Sequence, residues 1–381
     1  MSERDYDLVL LGATGFTGRL TAQHLAARVE GTGIRLAIAG RDRDRLAALR
    51  DELPGEVGLE VVDVHDLVGL LGLTARTRAL ATTVGPFARH GELVVQACVR
   101  SGTHYADITG EPGFVELIRA RYDGDARRSG VRIVPCCGFD SVPHDLGVRW
   151  TVEQLPADLP IRIRGYVRAT GRASGGTATS AMEAIAARST GPLVPPGTEQ
   201  DGRRIGSLPA RLHRVEQLDS YGVPLPTIDP AIVLASARLL DRYGPDFRYG
   251  HFAQVRTPAM VAAGIAGAAT FGAMASTSPT RAVLRRLLPS QGEGPTPEQR
   301  AAGRFSVTFL AEAGEHRLRT RVSGGDPGYD ETAKMLGEAG LHLAGDHDPG
   351  VSGVLTPAVA LGEPYRLRLE EQGIVFEVLG H

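Results

Sequence analysis

Three glycines near the start of the chain have the spacing of a nucleotide-binding turn. Gly12, Gly15 and Gly18 directly follow a short apolar run, and a segment with helical periodicity comes next. In such a strand–turn–helix unit, the first glycine permits the tight turn, the second lets a pyrophosphate approach, and the third lets the helix pack closely. A glycine-rich loop without a ligand is the alternative, which the flanking strand and helix disfavour. We therefore predict that the N–H groups of the helix start hold a dinucleotide at Gly12, Thr14, Gly15, Phe16, Thr17 and Gly18.

The residues after the second predicted strand indicate which dinucleotide binds. An NAD site usually has an acidic side chain about 20 residues beyond the glycines, where it binds the ribose hydroxyls. This chain has Gly40 and Arg41 there. Because a guanidinium suits a 2′-phosphate and can stack on adenine, we predict NADP(H), with Asp63 meeting the adenine edge. A solvated basic turn is the alternative for Arg41.

Two later strand ends carry residues suited to the nicotinamide half of the cofactor. Val84, Gly85 and Pro86 follow the fourth predicted strand, where the strand order of such a sheet reverses. Gly85 permits a close backbone approach, and Pro86 stiffens the turn. Tyr105 and Asp107 lie at the end of the fifth strand and are candidate site residues, since strand carboxyl ends line the ligand crevice. Capping of the next turn is an equal alternative for Asp107.

Residues 135–147 form the next concentration of polar side chains. Asp140, Ser141 and His144 are candidates for a polar cluster over the nicotinamide, and N-capping of the next segment is the alternative for Asp140 or Ser141. Cys136 and Cys137 end the sixth predicted strand, and we interpret them as buried structural thiols because no paired base is identifiable. One histidine with this cysteine spacing does not make a metal site, so we predict none.

Strands and helices alternate through this part of the chain. Six predicted strands with helices between them, within about 135 residues, fit an α/β fold with a Rossmann-type doubly wound parallel sheet. The strands are predicted at 7–11, 34–39, 59–62, 78–83, 104–107 and 132–135, and the helices at 44–52, 66–73, 92–100 and 113–128.

The composition indicates an ordinary globular protein of about two domains. The chain has 381 residues, 42% of them hydrophobic and 23% charged, with a formal net charge of −2, which gives no reason to expect nucleic acid binding. Its three cysteines cannot form a disulfide framework, and the first strand begins too early for a signal peptide to precede it. We therefore expect a cytoplasmic protein.

Several motifs together carry a family resemblance. They are GATGFTG at 12–18, AGR at 39–41, VGPF at 84–87, HYADITGE at 104–111, GFDSVPHDLG at 138–147, SGGT at 174–177 and DPGYDETAKML at 326–336. These motifs resemble those of the saccharopine dehydrogenase-like oxidoreductases and, within that group, those of the actinobacterial trans-acting enoyl reductases that serve polyketide lipid pathways. The resemblance extends from Asp7 to about Val378.

The resemblance implies an NADP-binding domain, a mixed α/β second domain and the reduction of a C=C or C=N bond. We expect the first domain at 1–147, with a helix at 326–345 packing back on it, and a substrate or oligomerisation domain at 148–325 and 346–381. The expected reaction is NADPH-dependent hydride transfer to an α,β-unsaturated acyl thioester, with Tyr105, Asp140 and His144 as candidate catalytic residues. The alternatives are a saccharopine dehydrogenase-like C=N or amino-acid-linked oxidoreductase and a non-catalytic NADP-binding scaffold.

Two alternating segments of the second domain place arginines on one face of a predicted sheet. Residues 304–310 and the segment after Gly314 should pair as a hairpin, and residues 161–168 alternate in the same way. If these strands share a sheet, one face is apolar and the other strongly basic. An ordinary solvated face is one interpretation, and a docking surface for an acyl carrier protein or a coenzyme A phosphate is the functional alternative. The arginines are Arg162, Arg164 and Arg168 in one segment and Arg317, Arg319 and Arg321 in the other.

Two further segments have candidate functions. Ser174–Thr177 opens a predicted helix and is a second candidate anion site. Thr257–Thr280 carries no charge, but its small residues and its interruptions by Pro, Ser and Thr disfavour a membrane span. We expect a buried or subunit-interface helix in a homodimer there. The second interpretation is a lid that touches a lipid-like substrate or makes peripheral contact with a membrane surface.

Overall fold

The computed structural model describes residues 4–170, 198–200, 202–276, 280, 294–345 and 350–380. The strands are β1 (Tyr6–Leu11), β2 (Leu36–Gly40), β3 (Val57–Val61), β4 (Thr77–Thr82), β5 (His104–Asp107), β6 (Arg132–Val134), β7 (Ile161–Thr170), β8 (Thr198–Gln200), β9 (Arg203–Ser207), β10 (His213–Val215), β11 (Ser220–Pro224), β12 (Asp246–Val255), β13 (Arg304–Ala313), β14 (His316–Gly324), β15 (Gly353–Val354) and β16 (Val375–Gly380). The helices are α1 (Phe16–Val29), α2 (Arg43–Glu52), α3 (Leu67–Thr74), α4 (Phe87–His90), α5 (Glu92–Ser101), α6 (Pro112–Arg128), α7 (Val142–Glu153), α8 (Asp229–Leu239), α9 (Pro258–Ser276), α10 (Pro297–Ala301), α11 (Asp330–Ala344), α12 (Pro357–Ala360) and α13 (Gly362–Glu371). The candidate anion site at Ser174–Thr177 lies outside the described residues.

The chain divides into two units. The first contains residues 1–142, 291–294 and 328–372, and the second contains 143–290, 295–327 and 373–381. Residues 346–372 thus group with the first unit, whereas the sequence-based division assigned them to the second domain. The predicted domain bounds themselves stay a prediction.

A parallel sheet of seven strands forms the first unit, in the order β15-β6-β5-β4-β1-β2-β3. This order reverses between β1 and β4, because β1 pairs with β2 on one side and with β4 on the other. The last four residues of β1 and all of β2 are buried, which explains why these strands are apolar runs rather than alternating ones. The predicted doubly wound α/β fold is confirmed, and the two-residue strand β15 is an addition that the sequence did not predict.

Helix α11 packs within the first unit against α1 and the sheet. Its Glu338 side chain is fully buried and accepts hydrogen bonds from Nε of Arg28 at 2.7 Å and, at 3.0 Å, from Nε2 of His24. Gly340 lets α11 approach β1, since a Cβ built there would lie 3.0 Å from Cδ1 of Leu8. A paired buried carboxylate and close glycine contacts therefore fix this helix.

A nine-stranded mixed sheet forms the second unit. Its main path is β10-β11-β12-β7-β13-β14-β16, with β9 beside β12 and β8 beside β9. The predicted hairpin is β13 and β14, which pair from Phe305 with Gly324 to Ala313 with His316. Gly314 in its turn has a φ of +59°, a conformation that favours glycine. The expected second mixed α/β domain is confirmed.

The arginine-bearing strands share this sheet, but their face carries carboxylates as well. Glu312 lies opposite Arg162 on one side and opposite Arg317 on the other. Arg317 pairs with Glu312 at 3.1 Å, Arg162 pairs with Asp246 at 2.9 Å, and another pair links Arg321 to Glu377. The expectation of a strongly basic face is therefore wrong, because cross-strand acidic side chains neutralise much of it. Docking of an acidic carrier stays a prediction.

Helix α9 covers most of the uncharged segment, and most of its described side chains are exposed. Met260 is 56% exposed, whereas Val261 is 7% exposed. The expectation of a helix buried within the chain is therefore wrong, while the subunit-interface and membrane-contact interpretations stay predictions. Within the described ranges, no helix is both long and apolar enough to cross a membrane.

Candidate functional site

The turn after β1 has a backbone shape that only glycine fits. Gly12 has a φ of +87°, and a Cβ built on it would lie 2.6 Å from Cγ2 of Val84 and 2.9 Å from Oγ1 of Thr83. The Thr83 hydroxyl donates a hydrogen bond to the Gly12 carbonyl at 3.1 Å, which ties this turn to the one after β4. The turns after β1 and β4 therefore form one structure at the reversal of strand order, where α/β sheets bind ligands.

The start of α1 lies directly against this turn. A Cβ built on Gly18 would lie 2.1 Å from the Gly12 carbonyl oxygen, so the helix can approach only because residue 18 is glycine. Gly15 is the extended residue before the first helical residue, Phe16, and no side chain caps the helix there. The first turn of α1 therefore presents backbone N–H groups at the glycine loop, as a phosphate cradle requires.

Arg41 and Arg45 are exposed beyond the end of β2. The backbone N–H of Arg45 donates to Oδ1 of Asp42 at 3.1 Å, so Asp42 caps α2. The Arg45 guanidinium donates to the carbonyl of Thr14 at 3.3 Å and thereby lies beside the glycine loop. The structure thus adds Arg45 to the predicted residue Arg41. Its contact with a backbone carbonyl could not be predicted from the sequence.

Asp63 lies in the turn after β3, where its Oδ1 accepts the backbone N–H of His65 at 2.9 Å. The His65 ring in turn lies on His90 of α4, with Nε2 and Nδ1 3.0 Å apart. Burial, the His65 ring and Arg89 lower the pKa of His90. Asp63 therefore shapes this turn, and its contact with an adenine stays a prediction.

The turn Val84–Pro86 leads into the short helix α4. Glu111 accepts the backbone N–H of Phe87 at 2.8 Å and that of Ala88 at 2.9 Å, so its carboxylate caps this helix. The nearest atoms to a Cβ built on Gly85 would be those of Phe87, with Cε2 at 3.5 Å. Val84 and Gly85 therefore lie in a turn that leads into a helix capped by Glu111.

Tyr105 and Asp107 form a buried pair at the end of β5. Both side chains are 0% exposed, and the Tyr105 hydroxyl donates to Oδ2 of Asp107 at 2.8 Å. Oδ1 of Asp107 accepts the N–H groups of Thr109 at 2.8 Å and Cys136 at 3.1 Å. Burial raises the pKa of Asp107 to about 7, although these three hydrogen bonds oppose the rise. The pair therefore joins the ends of β5 and β6.

Asp140 is half-buried at the end of the stretch that follows β6. A Cβ on Gly110 would lie 2.9 Å from its Oδ2, so the carboxylate lies directly over the loop after β5. Cys136 and Cys137 are buried thiols, as predicted, and the Cys137 thiol donates to the carbonyl of Val134 at 3.3 Å.

His144 lies in the second unit, where the structure brings it to two residues distant in sequence. Nδ1 of His144 is 3.0 Å from Oδ1 of Asp229, and Nε2 of His251 is 3.4 Å from Oδ2 of the same carboxylate. Burial would raise the pKa of Asp229, but the two histidines outweigh it and leave the pKa lowered. Burial lowers the pKa of His251 to about 4. The sequence analysis missed this cluster because its members come from three separate elements.

The first unit fits the predicted dinucleotide. A Cβ would fill the cradle at Gly12 and Gly18, and the exposed Arg45 guanidinium lies beside it at the carbonyl of Thr14. Residues 8–134 match the family described as the saccharopine dehydrogenase NADP-binding domain.

Relatives match the chain over nearly its full length. A protein of Mycobacterium tuberculosis H37Rv, provisionally named a trans-acting enoyl reductase, is 35% identical over 97% of this chain and 97% of its own. Proteins named trans-acting enoyl reductases from Mycobacterium ulcerans and Mycobacterium bovis BCG are 34% and 33% identical, each over 98% of both chains.

Among solved structures, saccharopine dehydrogenase (L-Glu forming) of Saccharomyces cerevisiae has a similar fold. The TM-score is 0.54 at 12% identity, over 98% of this chain and 99% of that one. The sequence relatives and the matched NADP-binding domain agree with this fold. The chain therefore belongs to the saccharopine dehydrogenase-like family of NADP-binding oxidoreductases.

Proposed function

We propose that the protein reduces the C=C bond of an α,β-unsaturated acyl thioester with NADPH. The observation that carries this proposal is the full-length similarity to proteins named trans-acting enoyl reductases, together with a glycine turn shaped for pyrophosphate. Bound NADPH would supply the hydride for the β-carbon of the substrate.

The residues of the first unit would bind and orient the cofactor. The backbone between Gly12 and Gly18 takes the pyrophosphate, and Arg41 with Arg45 takes the 2′-phosphate as a charge-assisted contact. Val84, Gly85 and Pro86 bound the turn at the reversal of strand order, which supports a place for the nicotinamide half.

The three candidate catalytic residues differ in access. Tyr105 and His144 are buried, whereas Asp140 is half-buried over the loop after β5. We therefore assign Asp140 as the group that contacts the substrate and donates a proton to its α-carbon. Tyr105 acts as a positioning residue, since its hydroxyl holds Asp107 and thereby the strand ends.

The test measures NADPH oxidation with an enoyl chain on coenzyme A, the same chain on an acyl carrier protein and a cyclic imine. With saccharopine, which is already a reduced amine, it measures the reduction of NADP+. We expect turnover of the enoyl thioesters and a loss of about 10²–10³ in kcat for Asp140→Asn, with Asp158→Asn at an exposed position as the matched control. Turnover of saccharopine or the imine alone would overturn the proposal. NADPH binding without any turnover would favour a scaffold protein.

A further inference from the structure

Three elements of the second unit bring His144, Asp229 and His251 together. His144 comes from the first turn of α7, Asp229 begins α8, and His251 lies in the middle of β12. All three side chains are 4% exposed or less. One ligand-type atom from each, a ring nitrogen or a carboxylate oxygen, lies within 4.8 Å of the others.

The distances in this cluster match those between ligands of one metal ion. With metal–ligand distances of about 2.0–2.2 Å, two ligands of a tetrahedral ion lie roughly 3.3 Å apart. Nδ1 of His144 lies 3.0 Å from Oδ1 of Asp229, and Nε2 of His251 lies 3.4 Å from the other carboxylate oxygen, Oδ2. The two imidazole rings meet edge to face with centroids 4.9 Å apart, and one nitrogen of each ring lies within 4.8 Å of the other.

A carboxylate oxygen in this cluster has no hydrogen bond from any described residue. Oδ1 of Asp229 is buried, and its contact with Nδ1 of His144 at 3.0 Å does not have the geometry of a hydrogen bond. Leaving such an oxygen buried costs about 1–3 kcal/mol or more, because water is lost without replacement. A buried carboxylate oxygen without a hydrogen bond from a described residue is available to coordinate a metal ion.

Two hydroxyl groups hold the outer sides of the cluster. Thr227 donates to Oδ2 of Asp229, which leaves Oδ1 for another partner. Nδ1 of His251 lies 3.1 Å from the Tyr249 hydroxyl. If Nδ1 carries the proton and donates to this hydroxyl, Nε2 is left with a lone pair toward Asp229. Outer hydrogen bonds of this kind orient the ligands of metal sites and fix their tautomers.

We propose that His144, Asp229 and His251 bind one divalent transition-metal ion in the second unit. Two imidazoles and one carboxylate make a nitrogen- and oxygen-donor set that suits Zn²⁺, with a water molecule as the fourth ligand. Because the site is buried and its ligands come from α7, α8 and β12, a bound ion would hold these three elements together. This proposal revises the prediction that the chain has no metal site and does not depend on the proposed reaction.

The experiment uses untagged full-length protein, so that no added histidines bind metal. Zinc content is measured by mass spectrometry after purification without chelator. Chelator-treated protein is then titrated with Co²⁺, whose visible absorption reports nitrogen and oxygen ligands. The variants are His251→Gln, Asp229→Asn and, as a matched control, His316→Ala at an exposed position of β14.

We expect about one zinc per chain in the wild type and in His316→Ala, and a loss of at least tenfold in Co²⁺ affinity in the two cluster variants. The wild-type protein alone can overturn the proposal. It would do so if the folded protein contained no zinc and gave no Co²⁺ spectrum. Unchanged Co²⁺ affinity in folded Asp229→Asn would also overturn it. In either case the two histidines and the carboxylate would form a cluster that binds no metal ion.

Discussion

The glycine turn of the first unit and the histidine–aspartate cluster of the second are built from different parts of the chain. At the turn, the backbone of Gly12 and Gly18 forms the surface, and the constraint is the absence of a Cβ. In the cluster, buried side chains from three elements meet, and the constraint is charge. The glycine turn should therefore lose its affinity for NADPH when a side chain is added. The cluster should lose its stabilising effect when a charge is removed.

Three buried carboxyl groups show that neighbouring side chains decide the direction of the pKa shift. Asp107 has three neutral hydrogen-bond donors, and burial still raises its pKa to about 7. Burial would also raise the pKa of Asp229, but its histidine neighbours leave it lowered. Glu338 belongs to the same unit as Asp107, yet its pKa is lowered despite burial because His24 and Arg28 bond to it. Basic partners, rather than the number of hydrogen bonds, keep a buried carboxyl ionised here.

The largest effect is expected for Asp229→Asn. The substitution keeps the shape but removes the charge between His144 and His251, so we expect the free energy of unfolding at pH 7 to fall by about 3 kcal/mol. Urea denaturation measures it, with Asp158→Asn as the exposed control. A change below about 0.5 kcal/mol would contradict a charge-dependent cluster.

Gly18→Ala should affect NADPH binding rather than the second unit. The new Cβ would lie 2.1 Å from the Gly12 carbonyl oxygen, so the turn has to move away from α1. We expect NADPH to bind at least about 100-fold more weakly, which corresponds to roughly 2.7 kcal/mol. Calorimetry with Gly72→Ala as control, where an added Cβ meets nothing within 4 Å, measures it. Equal affinities would show that the turn does not hold the pyrophosphate.

Asp107 should make the protein less stable as the pH rises. The folded chain keeps its proton up to about pH 7, whereas an unfolded aspartate loses it near 3.8, so between these values the folded state binds more protons. We expect a loss of about 2–3 kcal/mol from pH 5 to pH 8. Asp107→Asn should remove this part of the pH dependence. Parallel stability curves for the two proteins would refute the raised pKa.

Arg41→Asp should give the smallest effect. A charge-assisted contact with the 2′-phosphate supplies about 1.4 kcal/mol, so wild-type protein should bind NADP about tenfold more tightly than NAD. The variant should lose that preference, while Arg50→Ala should keep it. If the variant retains the preference, Arg45 beside Thr14 is the residue to test next.

These two regions also mark how far the sequence could predict the structure. The glycine turn, the alternation of strands and helices and the hairpin at Gly314 depend on residues close in sequence, and their positions were predicted within a few residues. The pairing of β7 with both β12 and β13 joins distant segments, so the periodicity could not assign it. Asp229 and His251 gave no signal for the same reason.

Burial explains the remaining differences at the site. Tyr105 lies in the short strand β5, His104–Asp107, whose sequence gives no means of telling a buried hydroxyl from one that faces a ligand. The arginine alternation was predicted, but the carboxylates opposite it, such as Glu312, come from another strand. Contacts between distant segments, rather than local pattern, therefore decided which predicted residues were accessible.

The most direct measurement follows a deuterium label from the 4-position of NADPH into the product. Wild-type protein is incubated with labelled NADPH and an α,β-unsaturated acyl thioester, and the acyl product is analysed by mass spectrometry. With deuterium at both hydrogens of the 4-position, we predict one deuterium at the β-carbon of the saturated thioester, and much less labelled product with Gly18→Ala at the same limiting NADPH concentration. Unlabelled product, or label transferred only to the carbon of a C=N substrate, would contradict the proposed reaction.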